Sequence, residues 1–145
     1  NSDQLTEQMD ILGPFTSDGE EAWAVTSLAY EASGGSCYSD GTADLSDVRV
    51  DIDATITMPC WYPQSDTSHV EVSTFERFMR TLSQHELRHV EIAWQHASIF
   101  EQQLRDANTC DDAIIGRIED QVWVDYDAAQ NAFHASPAGQ AIRYP

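Results

Sequence analysis

The run STFERFMRTLSQHELRHVEIAWQHASIFEQQLRDAN, residues 73 to 108, decides how the rest of the chain must fold. Its apolar and aromatic residues, Phe75, Phe78, Met79, Leu82, Ala93, Phe100 and Leu104, recur at helical spacing, with His89 on the same stripe. Ser73-Thr74-Phe75-Glu76 fits a capping box, in which Ser73 and Glu76 satisfy each other's neighbouring backbone amides, so the helix is expected to start there. With no Pro or Gly before Asn108, one long helix is expected, with its apolar stripe turned into the fold.

In the middle of that helix stands His85-Glu86-Leu87-Arg88-His89. Residues four apart lie one turn above each other, ~6 Å along the axis, so both imidazoles can converge on one metal ion with Glu86 beside them. Two neutral nitrogens suit Zn²⁺, and a carboxylate at the open coordination position can take a proton from a water that the metal acidifies. With 5 His in 145 residues, a shuffled chain would carry this His-Glu-x-x-His string roughly 0.01 times, which sets coincidence aside. The simpler alternative is a surface helix with two solvated histidines. Glu86-x-x-His89 is also the ligand pair of di-iron bundles, but those need a second Glu-x-x-His, and the sequence has none.

Working outward, Ile115, Ile118, Val122, Tyr126, Ala129 and Phe133 mark a second amphipathic helix, starting between Thr109 and Asp112 and stopped by Pro137 and Gly139. The short connection between the two predicts an antiparallel helical hairpin. Upstream, Val48, Val50, Ile52, Ala54, Ile56 and Met58 alternate with Arg49, Asp51, Asp53, Thr55 and Thr57, the pattern of a strand with one face buried and one wet, ended by Pro59. An earlier strand is expected from about Glu21 to Glu31, ended by Gly34-Gly35. Leu5, Met9 and Leu12 before Gly13-Pro14 suggest a short N-terminal helix. The expectation is one α+β domain over residues 1–145: an antiparallel sheet packed on the long helix, with a second, antiparallel helix beside it.

The hairpin also bears on a third metal ligand. His96 lies seven residues past His89, ~10 Å further along a straight helix, and no Gly follows His89 to break that helix. If the chain turns back near Asn108, His85 faces about position 132 and His89 about position 128, and His134 lies within about one turn of that level. Helices pack ~8–10 Å apart, a gap that two imidazoles can close on a shared ion. His134 is therefore the expected third ligand, with Asp127 as runner-up and His96 as a partner or core residue. Tyr126 and His69 are candidate donors to an oxyanion, although the helix stripe accounts for Tyr126 as core and His69 reads as a loop histidine.

Composition narrows the field. A formal charge of −18, with all seven basic residues Arg and none Lys, excludes nucleic acid, which needs concentrated positive charge. No run of ~18 apolar residues could form a membrane span, and Asn1 without a signal-like segment reads as a mature or trimmed product. Three cysteines without Cys-x-x-Cys fit an exported protein with one disulfide. The strand over 48–58 leads away from Cys37 and the long helix brings the chain back, so Cys37 is expected to pair with Cys110, leaving Cys60 a thiol.

Several stretches together resemble a bacterial family of uncharacterised domains described as predicted secreted zinc-dependent proteases. Leu5 to Ala24, with Gly13-Pro14, Asp18-Gly19 and Ala22-Trp23-Ala24, looks like the family's opening. Thr57-Met58-Pro59-Cys60-Trp61 is similar to its Thr-Leu-Pro-x-Trp, His85 to His89 to its metal motif, and Tyr126-Asp127 to its late Tyr-Asp, which a histidine follows. Gly commonly stands in that family where this chain has Arg88. The resemblance implies a zincin-like secreted or periplasmic metallopeptidase acting on a peptide or protein. The residues themselves point to Zn²⁺ on His85, His89 and His134, with Glu86 as general base. A zinc amidase would share the site, and a non-catalytic, metal-stabilised binding module would use the same ligands without needing Glu86.

Overall fold

The computed structural model describes residues 23–63 and 65–142. The expected N-terminal helix, and the first two residues of the expected first strand, lie outside the described residues. The fold is α+β. Its elements are β1 (Val25–Ser33), β2 (Ser36–Cys37), β3 (Ala43–Asp44), β4 (Arg49–Thr57), α1 (His69–Ala107) and α2 (Asp112–Ala135). They form two two-stranded antiparallel sheets, β1 with β4 and β2 with β3. No helix among the described residues is long and apolar enough to cross a membrane.

By contact, the chain divides into two compact units. The first comprises residues up to Ser27, Thr55–His89 and the chain from Phe133; the second comprises Leu28–Ala54 and Val90–Ala132. In the first unit, Phe78 and Leu82 on α1 are buried, with Trp23, Met58, Trp61 and Phe75 packed against them. Trp23 meets Phe78 edge-on at 5.3 Å and Trp61 meets Phe75 at 5.0 Å, geometries that aromatic quadrupoles favour. The i, i+3, i+4 pattern Phe75, Phe78, Met79, Leu82 is therefore the core stripe that the sequence implies.

In the second unit, Leu45, Val48, Val50, Ala97, Phe100, Leu104 and Val122 are the buried core. The alternation of β4 is realised: Val50 is buried and Ile52 half-buried, while Arg49, Asp51 and Asp53 face water. Side chains of α1 satisfy backbone groups here that no further strand pairs. Glu101 accepts from the Val50 amide at 3.1 Å, and Arg105, in ion pair with Glu101, donates to the Val48 carbonyl at 2.8 Å. Gly34, at φ +80°, is required at the end of β1, since a Cβ there would lie 2.7 Å from the Asp47 carbonyl oxygen.

The disulfide joins Cys37 and Cys110, with Cα atoms 5.9 Å apart, and Cys60 is an exposed thiol. The bridge ties the β2–β3 hairpin to the connection between the helices. Asn108 ends α1 in a left-handed conformation, φ +40°, and its side-chain oxygen accepts from the Leu45 amide at 3.0 Å. Asp111 then caps α2 by accepting from the amides of Ala113 and Ile114.

One expectation is corrected. The long helix starts at His69, four residues before the Ser73 to Glu76 box. The working cap is Ser68 with Glu71: the Ser68 amide donates to the Glu71 carboxylate at 2.9 Å, and the Glu71 amide donates to the Ser68 hydroxyl at 3.2 Å. Ser73 instead donates its hydroxyl to the Val70 carbonyl inside the helix. Both boxes match the pattern, and propagation favours the earlier one because each added residue gains a backbone bond once a nucleus exists. Thermal melts should separate them: Ser68→Ala should cost about 1 kcal/mol, whereas Ser73→Ala should leave the melting temperature nearly unchanged or slightly raised.

Candidate metal centre

The three histidines at issue all belong to the first unit. His85 and His89 stand one turn apart on α1, and His134 sits in the last turn of α2. The end of α2 is shaped to hold His134 in place. Pro137 cannot continue the helix, and the Ser136 hydroxyl donates to the Phe133 carbonyl at 2.6 Å while accepting from the Gly139 amide at 3.1 Å. A Cβ on Gly139 would lie 2.1 Å from the Phe133 carbonyl oxygen and 2.8 Å from the His134 Cα. Only glycine lets the turn close this tightly over the residue that carries the third imidazole.

The ring nitrogens converge. Nε2 of His89 lies 3.0 Å from Nε2 of His85 and 3.3 Å from Nε2 of His134. One ligand atom from each of the three lies within 4.8 Å of the others, and no other group of three or more His, Cys, Asp or Glu could hold a metal ion among the described residues. Phe133 walls the cluster, with its ring 4.8 Å from that of His85 and 5.2 Å from that of His89.

Burial disfavours the charged form of two of the imidazoles, His85 and His134. Burial, reinforced by His89 and His134, pushes the His85 pKa down from 6.5 to about 4. Burial and His89 also lower that of His134, against an opposing pull from Glu86. In the tautomer that leaves Nε2 unprotonated, these atoms turn their lone pairs to a common centre, an arrangement that a cation resolves. In a tetrahedral zinc site, metal–nitrogen bonds of 2.0–2.1 Å put ligand nitrogens about 3.3 Å apart. The separations of 3.0 and 3.3 Å fit that cage.

Glu86 is 5% exposed, the one buried charged side chain among the described residues. Its Oε2 accepts from the Thr26 hydroxyl on β1 at 2.6 Å. No motif or spacing in the sequence marks Thr26, since the contact joins residues 60 apart.

The remaining candidates are elsewhere. His96 belongs to the second unit, where its Nδ1 donates to the Ile92 carbonyl at 2.8 Å and its ring meets Tyr126 at 5.8 Å. Tyr126 packs there against Trp123 and His96, with its hydroxyl pKa raised by burial. Asp127 is exposed in that same unit, and His69 is the exposed first residue of α1. Arg88 is an exposed residue of an uninterrupted helix.

The fold and site thus define a small α+β domain with a three-histidine cluster beside a buried glutamate. The chain belongs to a bacterial family of proteins of unknown function, DUF922, which it matches over residues 1–140. No curated protein and no solved structure matches it.

The depressed pKa values have a measurable sign. An unfolded chain protonates His85 below about 6.5 while the folded one resists until about 4, so acid favours unfolding across that window. Metal-free protein should therefore lose melting temperature as pH falls from 7 towards 4. His85→Gln should flatten that slope, and an unchanged slope in this variant would contradict the assignment.

Proposed function

We propose that this protein is a secreted zinc-dependent metallopeptidase, with Zn²⁺ held by His85, His89 and His134 and with Glu86 as general base. The observation that carries this reading is the convergence of three imidazoles from two helices, with ligand atoms within 4.8 Å of one another, beside a buried carboxylate. Three protein ligands leave the fourth position open, the arrangement of catalytic rather than structural zinc. Zinc bound there would supply Lewis acidity, acidifying a water and polarising the scissile carbonyl.

The chain's own residues do the rest. His85, His89 and His134 would hold the ion through their Nε2 atoms. Glu86 accepts the proton lost by the attacking water and passes it to the leaving amine, so it ends the cycle as it began. A purely structural site has no use for a buried acid in this position, which favours an enzyme over a metal-stabilised binding module. The Cys37–Cys110 bridge suits an oxidising compartment and supports the secreted assignment. The charge of −18 favours cationic over anionic segments of a protein substrate.

Purified protein should contain about one zinc per chain, removable by chelators, and should cleave members of an unbiased peptide library only when loaded. Glu86→Gln should keep the metal and lose about 10²- to 10⁴-fold in turnover. His134→Ala should abolish stoichiometric zinc while His96→Ala retains it. Absence of stoichiometric metal in the wild type, or near wild-type turnover with Glu86→Gln, would sink the reading.

A further inference from the structure

Glu86 is unusual for an acidic side chain in being almost fully withdrawn from water. Burial of a carboxylate costs several kcal/mol unless donors replace the lost solvent. The Thr26 hydroxyl is such a donor, 2.6 Å from Oε2. That length is in the range of charge-assisted O–H···O⁻ bonds, shorter than the usual contact between neutral hydroxyls. The Thr26 hydroxyl donates along this line, which engages one lone pair of Oε2 and leaves Oε1 untouched by it.

The two partners come from different kinds of element. Glu86 is carried by α1, whose neighbouring residues His85 and His89 bear the converging nitrogens. Thr26 is carried by β1, at its start in the first unit, where it is half-buried while the next residue, Ser27, faces water. A strand holds a β-branched side chain in few rotamers, so the Thr26 hydroxyl is a fixed point. A glutamate has three side-chain torsions to immobilise, and a bond to a fixed point removes that freedom before any substrate arrives.

We propose that Thr26 is a positioning residue for Glu86: by tethering Oε2, it reserves Oε1 as the oxygen that takes the proton from the attacking water and returns it to the leaving amine. This rests on the peptidase reading. The O–H bond of the water breaks and its proton moves to Oε1; the same proton leaves for the amine nitrogen as the C–N bond breaks. Thr26 keeps its own proton throughout. Its contribution is geometric and acts through Glu86, so it should be felt in turnover more than in substrate or metal binding.

The test uses zinc-loaded protein, with cleavage of fluorescein-labelled casein as the readout. Thr26→Val is nearly isosteric and lacks the donor; Thr26→Ser keeps the donor. Thr26→Val should lower kcat about 10- to 100-fold with KM and zinc content unchanged, and Thr26→Ser should restore most of it. Should Thr26→Val fail to fold, Thr26→Ala against Thr26→Ser makes the same comparison. Wild-type turnover without the hydroxyl, or no rescue by serine, overturns the proposal. Glu86→Gln runs alongside. If it abolishes turnover while Thr26→Val does not, the positioning role alone fails; if it leaves turnover intact, the peptidase reading fails. A second readout needs no activity. In metal-free protein, Thr26→Val should lower the melting temperature by about 5 °C when Glu86 is present and hardly at all in a Glu86→Leu background. Equal shifts in the two backgrounds would show that the hydroxyl is not bound to Glu86 and would overturn the proposal irrespective of casein cleavage.

Discussion

A straight helix can bring two side chains four residues apart to one point, but the next residue on that face is already a turn or two away. The candidate site depends on this limit. α1 runs from His69 to Ala107 without a break, so His85 and His89 receive no third nitrogen from their own helix. It comes from the last turn of α2, and its position is set by how that helix ends. Ser136, Gly139 and the Phe133 carbonyl close a turn over His134 that tolerates no Cβ at position 139. The local chemistry of a helix terminus thus fixes the geometry of the whole cluster.

Much of this was legible in the sequence because periodicity and local chemistry report which face is buried. Val50 and Ile52 against Arg49, Asp51 and Asp53 identified β4, and Phe75, Phe78, Met79 and Leu82 identified the inward stripe of α1. His134 could be located by counting back through the helical hairpin, although in the structure it meets His89 rather than the residues some six positions earlier that a turn at Asn108 would place opposite. Two features were hidden for different reasons. The start of α1 had two capping boxes of equal quality, and a pattern match cannot weigh the extra backbone bonds that the Ser68 box gains. The Thr26–Glu86 bond joins a strand to a helix across 60 residues, and nothing in the spacing of either residue encodes such a meeting.

The placement of acidic side chains is informative against a charge of −18. Asp51 and Asp53 on β4, and Asp111 and Asp112 at the start of α2, remain in water where like charges are screened. Glu101 is half-buried and is engaged both by Arg105 and by the backbone of β4. Among the described residues Glu86 is the one buried acidic side chain, and the Thr26 hydroxyl donates to it. A cationic partner would neutralise the carboxylate and hold it as a structural ion pair. A hydroxyl engages one oxygen and brings no opposing charge.

The disulfide has a topological consequence. Cys37 and Cys110 are 73 residues apart in a chain of 145, so the bridge closes about half the polypeptide into a ring that contains β4, all of α1 and both motif histidines. Any single peptide-bond cut inside that ring, from Tyr38 to Thr109, opens the ring but releases nothing, because the two pieces remain covalently joined at the sulfurs. The chain can thus be nicked once in its exposed segment around Tyr62 and stay one molecule, heavier only by a water.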